Sequence, residues 1–251
     1  MEGPLPPISI IISAYNEAAV IEQRLLNLAE STYPRDLYEV ILMDDCSTDG
    51  TAEIADRILT RLGVEHRIVR NTDRLGPSRS YNRGLSLAKN DIVVTTDADV
   101  FFDKDSLSLL ITRLMSDERI VAACGDLQPL PDRASTRAME SIYRGYYGRM
   151  CAWESAIDSC YTFNGALVAF RRSSIPKIED RKGADDANTA FEAIRNSCRS
   201  VYEPRAMVFE EIPEGIERQY RQKVRRATGL IEATLGNLDL LHSSRPFSRF
   251  F

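Results

Sequence analysis

Two carboxylates, Asp97 and Asp99, stand at the end of an apolar run near the middle of the chain. The run itself, residues 91–96, is rich in β-branched residues, which predicts a strand buried on both faces. Carboxylates at the end of a buried strand are costly unless a cation or hydrogen-bond donors meet them. Because Mg²⁺ is typically bound by one or two carboxylates together with substrate phosphates, the pattern indicates a site for a divalent cation and a diphosphate. In the alternative interpretation, the aspartates only cap a helix that begins near residues 103–106.

Acidic residues also follow two other predicted strands. Glu17 comes shortly after the strand at 7–14, and Asp44 and Asp45 follow the strand at 38–43. Ligands of parallel α/β sheets bind beyond the carboxyl ends of the strands. We therefore expect these side chains to meet Asp97 and Asp99 in one crevice, although Asp44 and Asp45 could also belong only to a strand-to-helix turn.

The order of the predicted elements favours an α/β fold with a Rossmann-like, mostly parallel central sheet flanked by helices. Strands are predicted at 7–14, 38–43, 65–70, 91–97, 120–125, 163–170 and 201–209, and the intervening helices include those at 137–155, 185–196 and 214–235. We interpret residues 1–251 as a single domain, because no clear boundary interrupts the pattern. Residues 1–120 form its nucleotide-facing half and residues 121–236 its acceptor-facing half, and residues 237–251 are a C-terminal tail.

The aromatic residues of the predicted helix at 137–155 are interpreted as core packing. The helix at 214–235 is rich in arginine and lysine. Taken alone, its basic residues would be a solvated face. Likewise Asp185 and Asp186, taken alone, would be acidic residues that complement a helix N-terminus.

Composition excludes several classes of function. The chain has a net charge of −5, which argues against nucleic acid as a partner. Its five cysteines include no Cys-x-x-Cys pair, which favours buried thiols in a reducing compartment over a disulfide framework or a zinc site. Only two histidines are present, so carboxylates must supply most of the acid–base chemistry.

The sequence predicts neither a secretory signal at the start nor a transmembrane helix within the chain. Residues 246–251, of sequence Pro-Phe-Ser-Arg-Phe-Phe, place aromatic residues beside arginines. This tail is interpreted either as an interfacial anchor or as a cut before a missing membrane segment. A frayed end without function is the alternative.

Six ordered motifs, spread over nearly the whole chain, give it a resemblance to a known family. They are Ile-Ile-Ser-Ala-Tyr-Asn-Glu at 11–17, Val-Ile-Leu-Met-Asp-Asp-Cys-Ser-Thr-Asp-Gly-Thr at 40–51, Asp-Ala-Asp at 97–99, Phe-Asn-Gly-Ala-Leu-Val-Ala-Phe-Arg-Arg at 163–172, Gly-Ala-Asp-Asp at 183–186, and Gln-Lys-Val-Arg-Arg at 222–226. Together they resemble the motifs of the family 2 glycosyltransferases, inverting enzymes with the GT-A fold, and in particular the catalytic domains of membrane-associated polysaccharide and lipid-glycan glycosyltransferases. Ser13, Cys46 and Arg226 depart from the family pattern, which commonly has proline, glycine and tryptophan there.

For the donor, the resemblance implies binding of a nucleoside-diphosphate sugar, with a UDP-sugar expected. The implied nucleotide-sugar-binding residues are Tyr15, Glu17, Asp44, Asp45, Asp97, Gln222, Arg225 and Arg226. Asp45, or its neighbour Asp44, would accept a hydrogen bond from uracil or guanine. Asp99 would coordinate Mg²⁺ or Mn²⁺, with Asp97 on the ribose or assisting the metal.

For the acceptor, the resemblance implies that Asp186 is the catalytic base and that Asp185 raises its pKa by like-charge repulsion. Asn164 and Gly165 would border the acceptor, a hydroxyl of a glycan or of a lipid-linked molecule. The implied location is the cytoplasmic face of a membrane. The missing tryptophan at Arg226 argues against a processive polysaccharide synthase.

Two other functions stay open at this point. A nucleotidyltransferase that makes activated sugars also uses paired aspartates, but it would ordinarily show a glycine-rich basic loop where this chain has Tyr15, Asn16 and Glu17. The other alternative is a non-catalytic module that binds sugar nucleotides or glycans.

Overall fold

The computed structural model describes residues 4–130, 137–180, 183–213 and 215–242. The elements are β1 (Ile8–Ala14), α1 (Ile21–Ala29), β2 (Tyr38–Asp44), α2 (Thr51–Leu62), β3 (Glu65–Arg70), α3 (Pro77–Leu87), β4 (Ile92–Asp97), β5 (Val100–Phe102), α4 (Ser106–Met115), β6 (Ile120–Pro129), α5 (Arg137–Ile157), β7 (Leu167–Arg171), α6 (Asp185–Arg195), β8 (Arg199–Glu210) and α7 (Ile216–Gly236). Short 3-10 helices at Arg35–Leu37 and Leu238–His242 precede β2 and follow α7.

In the described part of the chain the strands form an eight-stranded sheet of order β3-β2-β1-β4-β7-β6-β8-β5. Parallel pairing joins β3, β2, β1 and β4, and β6 is parallel to β8. β7 runs antiparallel to both β4 and β6, and β5 runs antiparallel to β8. Six strands therefore point the same way. The predicted α/β fold with a mostly parallel sheet is confirmed, with two reversed strands in its second half.

The strand β1 shows why the sheet is buried on both faces. Ile10 and Ile12 belong to the apolar cluster that includes residues of α1 and α2, whereas Ile11 belongs to the cluster that includes residues of α3. All three side chains are fully buried, and each contributes about 1.5–3 kcal/mol. On the α3 side, a Cβ on Gly84 would lie 2.6 Å from Ile11 Cγ2, so glycine lets α3 approach the sheet closely.

The second half of the sheet differs in detail from the sequence prediction. β6 continues to Pro129 rather than ending at residue 125, with a register shift against β8 between Cys124 and Asp126. β7 begins at Leu167, so residues 163–166 of the predicted strand form the turn before it. β5, which no pattern predicts, directly follows Asp99 and pairs with the end of β8.

The interpretation of the α5 aromatic residues as core packing is wrong for three of them. Tyr146 is 65% exposed and Trp153 is 57% exposed, and Tyr143 is also exposed. The buried face of α5 carries instead polar and small residues such as Arg144 and Cys151. The reason is that α5 packs mainly against β6 and β8, which leaves many of its residues in contact with solvent.

No helix in the described ranges combines the length and the apolar character that a membrane crossing needs. The C-terminal tail is described only to residue 242. Its last nine residues, 243–251, which carry the phenylalanines of the predicted anchor, lie outside the described residues.

Candidate functional site

The carboxyl ends of β1, β2 and β4 open into a cavity of about 890 Å³, and residues of α5, α6 and α7 line its other side. Eleven of the predicted site residues line it: Tyr15, Glu17, Asp45, Asp97, Asp99, Asn164, Gly165, Asp185, Asp186, Arg225 and Arg226. They come from positions far apart in sequence, because parallel strands carry their following loops to one edge of the sheet.

The remaining two predicted residues, Asp44 and Gln222, do not line the cavity. The carboxylate of Asp44 is buried within the turn after β2, where Oδ1 accepts a hydrogen bond from the backbone N–H of Ser47 at 3.2 Å. Gln222 lies on α7 one turn before Arg226, and its neighbour Lys223 lines the cavity at that level.

Asp45, in contrast to Asp44, holds the loop between β3 and α3. Its Oδ1 accepts hydrogen bonds from Asn71 Nδ2 and Leu75 N, each at 2.8 Å, with Ser80 Oγ at 3.4 Å. Its Oδ2 accepts one from Gly76 N at 2.8 Å. Burial alone would raise the pKa of Asp45, but these donors outweigh it and the pKa lies below its usual value. Each carboxylate oxygen has two lone pairs, and Oδ2 accepts only the bond from Gly76 among the described residues, so Oδ2 retains one acceptor position for a ligand.

The loop after β1, which carries Tyr15 and Glu17, is fixed by the turn after β2. Asn16 adopts a left-handed conformation with φ 55°, and its Oδ1 accepts a hydrogen bond from Thr48 N at 2.9 Å. Glu17 N donates to Thr51 Oγ1 at 2.8 Å. Hydrogen bonds thus join the motif at 11–17 to the motif at 40–51. Next to them, the guanidinium of Arg74 lies 3.8 Å from the centroid of the Tyr15 ring, which makes a cation–π contact at the cavity wall.

The turn after β4 presents Asp97 and Asp99 to the cavity. Asp99 is exposed, whereas Asp97 is half-buried and its Oδ1 accepts a hydrogen bond from the Tyr81 hydroxyl at 3.0 Å. Burial and then the charges of Asp99 and Asp185 raise the pKa of Asp97 to about 7. Burial and the charge of Asp99 likewise raise the pKa of Glu17 to about 7. These carboxylates therefore lie close enough to repel one another.

The charge of the cavity is unbalanced. Among the described residues it is lined by eight carboxylates and five cationic side chains: Glu17, Asp45, Asp97, Asp99, Asp185, Asp186, Glu210 and Glu232 against Arg74, Arg144, Lys223, Arg225 and Arg226. A diphosphate would add further negative charge to this excess. A divalent cation at the carboxylates would offset it.

The residues of the cavity fit Mg²⁺ or Mn²⁺. No group of three or more His, Cys, Asp or Glu side chains in the described ranges is arranged to hold a metal on its own. Asp97 and Asp99 nevertheless offer two oxygen ligands side by side, and the repulsion between them marks a place where a cation would be stabilised. Such a site suits an ion that keeps positions open for water and phosphate.

The second acidic pair, Asp185 and Asp186, opens α6. Glycine at 183 is required here: its φ is +70°, and a Cβ would lie 2.2 Å from the carbonyl oxygen of Gly229 on α7. Ala184 N donates to that same oxygen at 3.0 Å. The N-terminus of α6 is thereby docked on α7, with the acidic pair facing the cavity.

The pKa values of Asp185 and Asp186 both lie above the ordinary range. Burial is the largest cause for both, followed by the charge of Asp186 for Asp185 and by the charge of Asp97 for Asp186. For Asp186, the carboxylate that raises the pKa is Asp97 across the cavity, and the expected effect of Asp185 on Asp186 stays a prediction. Asp186 Oδ1 accepts a hydrogen bond from Ala187 N at 2.8 Å. A Cβ on Gly165 would lie 3.1 Å from Oδ2, so glycine leaves room beside this oxygen.

Arg226, which stands where the family commonly has tryptophan, is held by Glu210 at the end of β8. Its Nη1 and Nη2 donate to the two oxygens of Glu210 at 3.0 and 2.7 Å. Arg144 of α5 donates to the same carboxylate at 2.5 Å and to Glu140 at 3.1 Å. Lys223 donates to Glu140 at 2.6 Å. This network ties α5 to α7 beside the cavity.

Arg225 differs from Arg226. It lines the cavity with an exposed side chain, and within the described residues it has no ion pair. Its guanidinium donors are thus available to a ligand, which suits an arginine beside a phosphate.

Several residues of the cavity are absent from the sequence-based prediction. Arg74 and Glu210 line it from the loop before α3 and from the end of β8. Tyr81 of α3 does not line the cavity but donates its hydroxyl to Asp97 from behind the wall. Of these residues, only Glu210 could have been recognised from the sequence, since it is a carboxylate at the end of a predicted strand, like Asp45 and Asp99. A further missed residue, Arg24 of α1, lies behind the cavity and is fully buried.

Comparisons with known proteins identify the family. The sequence model of the family described as Glycosyl transferase family 2 matches residues 9–176. The chain is 27% identical over 235 residues to the Probable glycosyltransferase YdaM of Bacillus subtilis (strain 168), over 90% of this chain and 55% of that protein. It is 25% identical over 235 residues to the Poly-beta-1,6-N-acetyl-D-glucosamine synthase of Staphylococcus aureus (strain COL), over 92% and 56%. The chain thus spans little more than half the length of these relatives.

Solved structures of glycosyltransferases resemble this chain as well. The mannosyltransferase PcManGT from Pyrobaculum calidifontis, in complex with GDP-Man and Mn²⁺, superposes with a TM-score of 0.84 at 28% identity, over 97% of this chain and 67% of that chain. S. aureus TarS 1-349 in complex with UDP-GlcNAc superposes with a TM-score of 0.66 at 19% identity, over 95% and 67%, which is a likeness of fold alone. The predicted GT-A fold is therefore confirmed. The chain belongs to glycosyl transferase family 2.

Proposed function

We propose that this chain transfers a sugar from a nucleoside-diphosphate sugar to an acceptor hydroxyl by a single displacement with inversion. The observation that carries the proposal is that two acidic pairs face each other across one cavity. The charge of Asp185 raises the pKa of Asp97, and the charge of Asp97 raises that of Asp186. This proximity is what an in-line reaction needs, since the donor diphosphate and the attacking hydroxyl must flank the same sugar carbon.

Residues 1–120 would bind the donor. Tyr15 with Arg74 would border the nucleotide, and Asp45 would offer its remaining acceptor position to the N–H of a base. A UDP-sugar is the donor that we expect. GDP is the other candidate, since PcManGT was solved with GDP-Man and TarS with UDP-GlcNAc.

Asp97 and Asp99 would hold Mg²⁺ or Mn²⁺, which when bound supplies Lewis-acid stabilisation of the diphosphate leaving group. Arg225 and Arg226 would lie on the opposite side of the diphosphate. The guanidinium of Arg226 is already oriented by Glu210, so little conformational entropy remains to be lost when the donor binds.

Residues 121–236 would bind the acceptor, and Asp186 would accept its proton. Because Oδ1 of Asp186 is occupied by the N–H of Ala187, we assign the proton to Oδ2, the oxygen beside Gly165. The raised pKa of this carboxylate makes it a stronger base than an ordinary aspartate. Asn164 and Gly165 would border the hydroxyl, and Asp185 would maintain the raised pKa.

The acceptor that we propose is a glycan or a lipid-linked molecule at the cytoplasmic face of a membrane. The Poly-beta-1,6-N-acetyl-D-glucosamine synthase among the relatives supports a glycan. Exposed apolar side chains on the two helices beside the cavity support a membrane surface: Ile142, Tyr146 and Trp153 on α5, and Ile216, Tyr220, Ile231 and Leu235 on α7. The exposed Arg221 of α7 suits anionic headgroups.

The test is a radiolabelled-sugar assay with Mn²⁺, a panel of UDP- and GDP-sugars, and membrane lipid extract or oligosaccharide as acceptor. We expect transfer or slow donor hydrolysis by the native chain with at least one donor. Asp186→Asn should reduce transfer about 10²- to 10⁴-fold and leave donor binding intact. Asp56→Asn, on the exposed face of α2, is the matched control and should transfer normally. No donor binding by the native chain, or full transfer by Asp186→Asn, would refute the proposal.

A further inference from the structure

Arg24 of α1 spans the turn that carries Asp97 and Asp99. Its Nη2 donates to Thr96 Oγ1 at 3.3 Å and its Nε to the carbonyl oxygen of Asp97 at 3.4 Å. Its Cζ lies 4.1 Å from the ring centroid of Phe102, three residues beyond Asp99. The guanidinium therefore contacts the chain on both sides of the acidic pair.

Arg24 contacts this turn from outside the cavity. Its side chain is 0% exposed and does not line the cavity, whereas Asp97 and Asp99 do. Its Nη1 is buried without a hydrogen-bond partner in the part of the chain that the structure describes. The hydrogen bonds that it does make are to neutral oxygens, a hydroxyl and a carbonyl.

A buried cation in such surroundings is costly unless negative charge lies nearby. Burial lowers the pKa of Arg24 to about 10, and Asp97 and Asp99 are the first two groups that oppose this shift. Arg24 is therefore charged at neutral pH, and its charge and those of the pair stabilise one another through space. Burial raises the pKa of Asp99, and the charges of Arg226 and Arg24 both act to lower it, so Arg226 is a counter-charge within the cavity and Arg24 is one outside it.

The same charge must act on any cation that enters from the cavity side. Repulsion from Arg24 opposes a divalent ion that binds alone, because the two positive charges flank the same carboxylates. A diphosphate that arrives with the ion adds negative charge and offsets this repulsion.

We propose that Arg24 is a positioning residue whose buried charge weakens binding of a divalent cation alone to Asp97 and Asp99, and so makes cation binding depend on the donor diphosphate. This inference rests on the proposed function, which supplies the cation and the diphosphate. It assigns to α1 a role in the order of binding, in addition to its packing against the sheet.

Asn27, one helical turn after Arg24, provides a matched control. Its Nδ2 donates to the carbonyl oxygen of Phe102 at 2.9 Å, and its Oδ1 accepts from Phe102 N at 2.7 Å. Asn27 thus holds the same segment to the same helix, but without charge. Asn27→Ala separates loss of anchoring from loss of charge.

The experiment is a titration of Mn²⁺, with free ion measured by electron paramagnetic resonance, into the native chain, Arg24→Gln, Arg24→Lys and Asn27→Ala. Each titration is done alone and with saturating UDP or GDP. We expect Arg24→Gln to bind Mn²⁺ alone at least about tenfold more tightly than the native chain, ~1.4 kcal/mol. The factor by which nucleotide strengthens Mn²⁺ binding should shrink accordingly, since this coupling is reciprocal. Arg24→Lys and Asn27→Ala should stay within about threefold of the native affinity.

Equal or weaker Mn²⁺ binding by folded Arg24→Gln would overturn the inference, and so would tighter binding by Asn27→Ala. If Arg24→Gln is unfolded in metal-free buffer by circular dichroism, the inference requires that Mn²⁺ restore folding, and failure to do so also overturns it. The proposed function is judged separately, on the native chain. If that chain binds nucleotide with Mn²⁺ while Arg24→Gln behaves like it, only the role of Arg24 is rejected.

Discussion

Replacement of Asp45 by asparagine tests whether one carboxylate anchors the loop that borders the nucleotide. The charged side chain receives donors on both oxygens: Asn71 Nδ2 and Leu75 N on Oδ1, and Gly76 N on Oδ2. An asparagine at this position must turn its NH₂ group toward one of them. Either orientation places donor against donor in a buried place and removes the charge from the remaining bonds.

The expected cost follows from these contacts. One charge-assisted hydrogen bond is worth about 1.5–3 kcal/mol, and a buried backbone N–H left without an acceptor adds about 1–3 kcal/mol. We therefore expect Asp45→Asn to lower the free energy of unfolding by about 3 kcal/mol. Asp44→Asn is the matched control, because Asp44 is equally buried but its carboxylate accepts only one hydrogen bond that the described residues show, from Ser47 N, beside a longer ion pair of 3.8 Å with Arg70. Its cost should stay near 1 kcal/mol.

The assay is urea denaturation followed by far-ultraviolet circular dichroism, with nucleotide affinity measured on the folded variants. Asp45→Asn should also bind UDP and GDP more weakly, because the backbone of Leu75 follows directly on Arg74, whose guanidinium stacks on Tyr15. Equal stability of the two variants would refute the reasoning about the loop. Normal nucleotide affinity in a destabilised Asp45→Asn would confine Asp45 to a structural role.

Three further predictions concern residues that line the cavity. Gly165→Ala should lower kcat about tenfold with little change in melting temperature, since the new Cβ would lie 3.1 Å from Asp186 Oδ2. An unchanged kcat would contradict the assignment of the proton to Oδ2. Arg226→Trp, which restores the family's common residue, should lower the free energy of unfolding in urea by about 2 kcal/mol, because Glu210 loses a bidentate partner. A more stable variant would show that the pair is dispensable. The transfer rate should fall as the pH is lowered, and the fall should begin well above the ordinary aspartate range near pH ~4. The reason is that Asp186 must be ionised to act as base, and its pKa, like that of Asp185, is raised. A rate that falls only at about pH 4 would contradict the raised values.

Much of the nucleotide-facing half could be predicted from the sequence because its signals are local. β1, β2 and β4 are mainly apolar, buried runs, and polar residues follow each of them at the edge where parallel strands place their ligands. Asp45 and Asp99 lie at one cavity as that rule requires, and Asp186 joins them there from the start of α6. Their proposed roles still await experiment.

Other features depend on contacts between distant segments and left little local trace. β5 has only three residues, and it is a strand because it pairs with the end of β8, more than a hundred positions later. Arg226 faces the cavity as a bidentate partner of Glu210, which no spacing indicates. Tyr143, Tyr146 and Trp153 of α5 are exposed because the helix packs mainly against β6 and β8 through its other residues.

Arg24 is an instructive case, because its signal was present in the sequence. Ile21, Leu25 and Leu28 form the buried stripe of α1, and position 24 falls within that stripe at helical spacing. A charged residue in an apolar stripe indicates either a misplaced helix or a buried partner of opposite charge. Here the partner is the acidic pair that ends β4, which the sequence alone could not bring to it.

The most direct test of the central claim is calorimetric titration of UDP and GDP into the native chain and into Asp99→Asn, in Mn²⁺ and in EDTA. If paired carboxylates, a divalent cation and a diphosphate form one site, at least one of the two nucleotides binds the native chain in Mn²⁺. Its affinity should then fall by at least about tenfold both in EDTA and in Asp99→Asn, ~1.4 kcal/mol. Nucleotide binding that is indifferent to EDTA and to the loss of the Asp99 carboxylate would contradict the account.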